Sequence, residues 1–526
     1  MLEFLSLLPL AQTFTPPPPS EPPPQVSQVV LPQEVRSLPG QLDRVPVFNS
    51  NSPEVVQSDG ILLSTFPSDG MRVRSAHLNF PFQGRFDIFA HHIARGITPD
   101  DVRTMFLGIL VYNPGKEPVT LDAQQAVSYL SQEAPFNNLP SYVANPMGSV
   151  FAGPGSRTMN DILRGQSQSF VPQRLILRPG RTYLLLNAPI PLRSLRALQD
   201  GVPLPQFLNE VETEEGGSLD TEPTKPNTPA TPPPRRNTAI PLNGRTLLMY
   251  LNSSGPVYVA SLAMYGRLNP NGSERAPTLS EWLSLLVQGD VAGPRDRTPT
   301  PPTNRNVSRF FYGRVAGVSQ GSRWSARITD SSSSERLTIP RRGNSVSYVL
   351  STIDRGTLGT GQIQSAPMLR RYPDTAYRAH GNYAVHYNLS LPLYNNSDNA
   401  QSVSILFQTP IKDESLQGRA LRFSIPPEDQ VFFRGTVRIR YTSDLGRTET
   451  RYLHIIHRRG QQGQPLVTLN IPRGDRRLVE VDFLYPPDAT PPQVITVQTL
   501  DDLNMIEVNN PNSPRSSRQL SPSNTP

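Results

Sequence analysis

The chain has 526 residues, no cysteine, 58 prolines and 36% hydrophobic residues. Those numbers exclude a disulfide scaffold, a cysteine-based zinc finger and a polytopic membrane protein, and proline at about twice its usual ~5% argues against long helical bundles. The formal net charge of +7 resides in one region, since residues 305–508 carry 25 basic and 18 acidic side chains and the remainder carries 25 of each.

In chain order, residues 1–12 (MLEFLSLLPLAQ) form an apolar run ending in a small residue, which looks like the later part of a secretory signal without its basic n-region. This start points to an exported protein, periplasmic or at the cell surface, and the lack of cysteine fits an oxidising space. No later stretch approaches the ~18 apolar residues of a spanning helix. Residues 13–25 (TFTPPPPSEPPPQ) read as an extended proline-rich tether. Residues 26–293 read as an N-terminal β domain, with short apolar runs at 45–48, 85–93, 105–112, 173–177, 182–186, 246–251 and 257–265. Within it, 209–237 is acidic and then Thr/Pro-rich, with too few apolar side chains to pack, and is expected to be a disordered insertion. One helix is predicted from Thr278, where a Thr-x-x-Glu capping box closes on Glu281 and Trp282, Leu285 and Leu286 recur at helical spacing before Gly289. Weaker helical signals lie at 159–163 and 202–209, with a turn after Thr98-Pro99-Asp100-Asp101.

Residues 294–306 (PRDRTPTPPTNRN) read as the linker, 307–508 as a basic C-terminal β-sandwich, and 509–526 as a disordered tail. Predicted strands in the second half fall at 346–352, 383–391, 403–408, 431–442, 447–457, 466–471 and 478–484. The expected fold is mainly β: two β-sandwich-like domains joined by a proline-rich linker, with few short helices. An internal echo fits this reading, because 104–126 and 383–407 both run apolar strand, Tyr-Asn, polar turn and alternating strand. Most sandwich strands resemble one another at this level.

Histidine is scarce, so its placement matters. Asp87 and His91 share a strand face, and a turn at 81–84 would fold His77 back onto them, giving nitrogen and oxygen ligands for a divalent metal, the one cofactor the residues point to. Strand histidines more often hydrogen-bond across a sheet. His380, Asn382, His386 and Asn388 alternate on one strand face and would suit a sugar or an ion, or simply solvent. Arg438, Arg440 and Arg458 make the 434–459 hairpin the most basic local surface and the place expected for an anionic ligand. Only Lys116, Lys225 and Lys412 are lysines, all other basic residues being arginine. Such a bias suits recognition of an anionic polymer, but it also follows from GC-rich codon usage, and the arginines spread along the whole chain. Gly317-Val318-Ser319-Gln320-Gly321 matches a serine-hydrolase string without the strand-to-helix elbow it requires, and is expected to be a hairpin loop. No Gly-Lys-Ser/Thr occurs, and 356–361 (GTLGTG) lacks a dinucleotide-site setting.

From residue 31 to 95 the strings LPQEVRSLPGQLDRVPVFNSNSPEVVQSDGILLSTFP and SAHLNFPFQGRFDIFAHHIARG resemble an uncharacterised cyanobacterial exported-protein family, defined as a domain of unknown function. The likeness continues through NPGKEPVTLDAQQA, NPMGSVFAGPGSR, SSGPVYVASLAMYG, ERAPTLSEW and GNYAVHYNLSLPLYN. It implies an envelope location and transfers no catalytic residue. The resulting expectation is a non-catalytic exported protein that binds or organises an envelope component, an anionic polysaccharide or an envelope protein. Its rival is a metal-assisted or polysaccharide-processing enzyme built on His77, Asp87 and His91. Nucleic acid is not an expected partner, because basic and acidic residues interleave and no recognition motif is present.

Overall fold

Alternation along the strands carries directly into the structure. In the strand His386–Tyr394, Tyr387, Leu389, Leu391 and Leu393 are buried while their neighbours are half-exposed, as the period of two requires. The computed structural model describes residues 26–192, 239–304 and 306–501. The signal-like segment, the 13–25 tether, the 209–237 insertion, the 202–209 helix and the 509–526 tail lie outside the described residues.

The protein has a mainly β fold with large mixed sheets and few short helices. Its longest strand, Leu242–Tyr265, joins two predicted runs into one. The register shifts between Ser253 and Val257, so the Gly255-Pro256 pair bends the strand instead of ending it. One arm of that strand pairs with Phe82–Arg95 and Val119–Leu130, the other with Thr104–Tyr112 and Gly60–Ser64. In the second half, Val431–Thr442 pairs with Thr448–Arg458 and Arg476–Leu484, and the latter pairs with His386–Tyr394.

The 294–306 segment does not divide these sheets. Ala316–Gln320 pairs with Pro46–Ser50, extending a sheet built mainly from the first half. In return, Ser27–Pro32, Glu34–Arg36, Gln41–Leu42 and Tyr142–Ala144 pair with strands of the second half. Strand edges left open by one half are thus covered by the other. Two large apolar cores result, one around Phe48, Phe86 and Leu247, the other around Tyr387, Phe433 and Phe483.

The internal echo has a structural counterpart. Asn113 and Asn395 are both fully buried corners between strands. The Asn113 amide donates to the carbonyls of Glu117 and Leu177, and that of Asn395 to Asn399 and Ile471. Each Oδ1 accepts from the backbone two residues on, at Gly115 and Ser397. Each asparagine carbonyl also accepts from a turn glycine, Gly180 or Gly474. In both halves the strand before the corner pairs with the strand after that glycine turn.

Two helices matter here, α1 (Ser156–Leu163) and α2 (Leu279–Gln288). The predicted capping box opens α2: Thr278 Oγ1 accepts from Glu281 N at 3.3 Å, and Glu281 accepts from Thr278 N at 2.7 Å. This places Trp282, fully buried, over Gly108, where an added Cβ would stand 2.8 Å from the indole. Helix α1 lies between the halves. Its Met159, Ile162 and Leu163 cluster with Phe89, Leu248 and Tyr250 of the first half and Leu484 of the second.

Candidate functional site

Beside that shared cluster opens a polar cleft of about 240 Å³, lined by Asp43, Arg85, Tyr250, Ser322, Arg323 and His386. Its walls come from both halves: Arg85 and Tyr250 stand on paired strands of the first, Arg323 and His386 on paired strands of the second. Asp43 follows the short strand Gln41–Leu42, which borders Arg323–Arg327. Ser322 donates to the Asp43 carboxylate through its backbone N–H at 2.8 Å and its hydroxyl at 3.2 Å, and its own carbonyl accepts from His386 N at 2.9 Å. The Arg85 guanidinium sits 4.6 Å over the Tyr250 ring and donates through Nε to Asp87 at 3.1 Å.

Charge behaves differently on the two sides. Burial pushes the Asp87 carboxyl up to about 6, against the opposing pull of Arg85. Asp482 is also almost fully buried, and burial pulls it upward, yet hydrogen bonds from His386, Asn388 and Arg438 outweigh that and hold it below the usual carboxylate range. Asn388 and Arg438 flank that carboxylate because Asn388, Asp482, Arg438 and Tyr452 form a single row across four strands, and His386, two residues before Asn388 on the same strand face, reaches it diagonally. His386 Nε2 lies 3.4 Å from Asp482, and Arg438 donates to it at 2.9 Å.

The predicted site residues therefore fare unequally. His77, Asp87 and His91 are not brought together. His77 bonds Ser64 at 2.9 Å, His91 bonds Thr246 at 2.8 Å, and Asp87 is held by Arg85. The expected 81–84 hairpin does not form, because Phe82–Arg95 is one continuous strand and the segment after His77 bonds the backbone of Ser64, Thr65 and Phe66 instead. Four residues along an extended strand separate Asp87 from His91 by roughly 13 Å. Among the described residues no group of three or more His, Asp or Glu is placed to hold a metal ion.

His380, Asn382 and His386 also part company. Asn382 adopts a left-handed turn (φ 48°) and bonds Ala366 N, Gln364 O and Tyr387 Oη as a buried brace, while His380 lies against the Tyr312 ring at 4.9 Å. Only His386 lines the cleft. On the basic hairpin, Arg438 faces Asp482, Arg440 faces Glu480 and Arg458 faces Asp429. Ser319 of the Gly-x-Ser-x-Gly string sits inside the strand Ala316–Gln320, buried, where a loop was expected, and a further strand follows it instead of a helix.

Sequence reasoning missed Asp43, Arg85, Tyr250, Ser322 and Arg323. Arg85 carried a local signal, standing two residues from Asp87 on the same strand face; the other four meet only through pairing across the halves. Guanidinium donors, a carboxylate acceptor and a hydroxyl around one small cavity form a donor and acceptor set suited to a polyhydroxylated ligand.

No helix of the described residues is long and apolar enough to cross a membrane, which leaves β-barrel spanning unaddressed. No curated protein matches the chain. The model of a family described as a protein of unknown function (DUF3370) matches residues 33–499, and the chain belongs to that family.

Proposed function

We propose that this chain is a non-catalytic exported protein of the cyanobacterial periplasm or cell surface, built of two β-sandwich-like halves, that binds or organises a saccharide-bearing envelope component. The observation that carries this reading is the 240 Å³ cleft, in which Asp43, Arg85, Ser322, Arg323 and Tyr250 converge from both halves. Exposed Arg323 offers a planar pair of donors to a sugar carboxylate or to neighbouring hydroxyls, and Asp43 accepts from hydroxyls. The recurring asparagine corner supports the two-halved architecture, and the signal-like start supports export.

Titration calorimetry of the purified chain with free monosaccharides, glucuronic acid among them, tests the cleft. Arg323→Ala is expected to weaken the best ligand roughly tenfold, the loss of a charge-assisted bidentate contact; affinity unchanged by that substitution removes the reading. Release of reducing ends from a polysaccharide would instead favour the enzymatic alternative. Cell fractionation addresses export separately, and recovery from the cytoplasm alone would overturn it.

A further inference from the structure

Arg323 and Arg327 close a stretch, residues 297–329, that holds six arginines and no acidic residue. The strand Arg323–Arg327 runs parallel beside His386–Tyr394, with Arg323 opposite His386 and Arg327 opposite Ser390. A period of two divides both strands: Trp324, Tyr387, Leu389 and Leu393 face the core, while Arg323, Ser325 and Arg327 are exposed and the even-numbered residues from His386 to Tyr394 are half-exposed. The outward face therefore continues from the cleft at Arg323 and His386 to Tyr394, a distance of roughly 26 Å along an extended strand. At that far end two guanidiniums lie over one ring. Arg336 is 4.2 Å from the Tyr394 centroid, and Arg476, opposite Tyr394 on the neighbouring strand, is 5.7 Å from it. Between the two ends Pro392 stands opposite Leu478, which is 40% exposed and makes an apolar step on an otherwise polar face.

Cations and carboxylates do not balance along this face. Among the described residues the guanidiniums of Arg323, Arg336 and Arg476 form no ion pair and donate no hydrogen bond, and Arg327 gives one N–H, from Nη2, to the Glu335 carbonyl at 3.0 Å. The acids have partners of their own. Asp482 and Glu480 are held by Arg438 and Arg440 of the strand beyond, Asp330 accepts from Thr338 N and Oγ1 at 2.7 Å each, and Asp475 is paired with Arg477. Glu335, next to Arg336 in the chain, is exposed and has no such partner among the described residues.

We propose that the cleft is the terminal subsite of a path for a carboxylated polysaccharide, a chain of uronic-acid units lying along the outer face of Arg323–Arg327 and His386–Tyr394. This proposal deepens the cleft reading and rests on it. Guanidiniums at the cleft, midway along the strand and at Tyr394 suit a repeating anion better than a single one, because each can take one carboxylate through paired N–H donors. The Tyr394 ring holds the far pair of guanidiniums in place, and the step at Pro392 and Leu478 offers apolar surface to sugar C–H groups. Single-stranded nucleic acid fits less well, since its bases stack on open aromatic faces and Arg336 already lies on the Tyr394 ring.

Titration calorimetry of the purified full chain with galacturonic acid, hexagalacturonate, maltohexaose and oligo(dT), at about 50 and 200 mM salt, tests the path. Hexagalacturonate is expected to bind at least roughly tenfold tighter than the monomer, with the advantage shrinking at the higher salt. Arg336→Gln combined with Arg476→Gln should remove roughly tenfold from hexagalacturonate affinity and from retention on immobilised polygalacturonate, and leave the affinity for the monomer unchanged. Arg327→Gln alone is expected to remove roughly threefold from hexagalacturonate affinity. These three side chains are exposed, so the circular dichroism spectrum of each variant should match that of the parent. Failure of every saccharide to bind would remove the cleft reading together with the path. Monomer binding with no gain from length, parent-like hexagalacturonate affinity in both variants, or maltohexaose or oligo(dT) binding as tightly as hexagalacturonate would overturn the path alone.

Discussion

Along the hairpin formed by Val431–Thr442 and Thr448–Arg458, Arg434, Arg438, Arg440 and Arg458 face Asp488, Asp482, Glu480 and Asp429, whereas in the 297–312 segment the guanidiniums of Arg297 and Arg309 lie over the Phe311 ring. Both regions are rich in arginine. In the hairpin the carboxylates arrive from a neighbouring strand and from loops, so the positive charge is largely neutralised where it stands. At Phe311 the guanidiniums lie against a ring quadrupole, whose negative face attracts a cation without itself carrying a net charge. The density of arginine in a sequence therefore says little about a basic surface until the position of the acids is known.

The largest test of this contrast lies inside the hairpin. Arg434 and Asp488 are each 5% exposed and 2.7 Å apart, so Asp488→Ala leaves a buried guanidinium without its partner. It is expected to cost about 3–5 kcal/mol in urea unfolding. A cost near zero would mean that Arg434 reaches solvent or another acid, and that the hairpin's charge is less confined than described.

Acid should act on the same region next. Burial pulls His454 down to about 4 and His457 to about 3, so between pH 6.5 and about 4 the unfolded chain takes up protons there that the folded chain refuses. Their contribution to stability is present above pH 6.5 and is lost as the pH falls through that window. Asp87, raised to about 6, acts in the opposite direction between about 6 and 3.8, but His77, His91, His92 and His380 are lowered like the hairpin pair. Melting temperature is expected to fall by several degrees from pH 7 to 4.5. His454 makes no hydrogen bond through either ring nitrogen, so His454→Leu should flatten the fall without a large cost at pH 7. A melting temperature that rises toward acid would contradict this.

The smallest effect should come from the exposed hairpin arginines. Arg440→Ala with Arg458→Ala is expected to change stability by less than about 1 kcal/mol and polyanion retention by less than about twofold, since those pairs are solvent-exposed and already neutralised. A tenfold loss of retention from this variant would mean that the Arg440 and Arg458 guanidiniums leave Glu480 and Asp429 to take an external anion.

Legibility from the sequence followed the range of the interaction. The α2 cap was readable because Thr278 and Glu281 are three residues apart, and the corners at Asn113 and Asn395 were visible as matching Tyr-Asn turns. His77, Asp87 and His91 were grouped on the assumption of a local hairpin, while the chain continues as one strand and each residue has a partner of its own. Asp482, the acceptor for His386, Asn388 and Arg438, lies 94 residues from Asn388 and 44 from Arg438. No spacing rule links such positions.

By itself the sequence determined the mainly β character, the α2 start and the acid-free arginine run, because each depends on neighbours within a few residues, whereas the Tyr-Asn echo showed where the corners fall but not their distant partners at Leu177 and Ile471. Tertiary structure decided which arginines are neutralised, which strands cross the 294–306 segment and which side chains share the cleft. Those outcomes depend on strand pairing between distant segments, and in an extended chain a slip of one residue would turn every side chain to the opposite face.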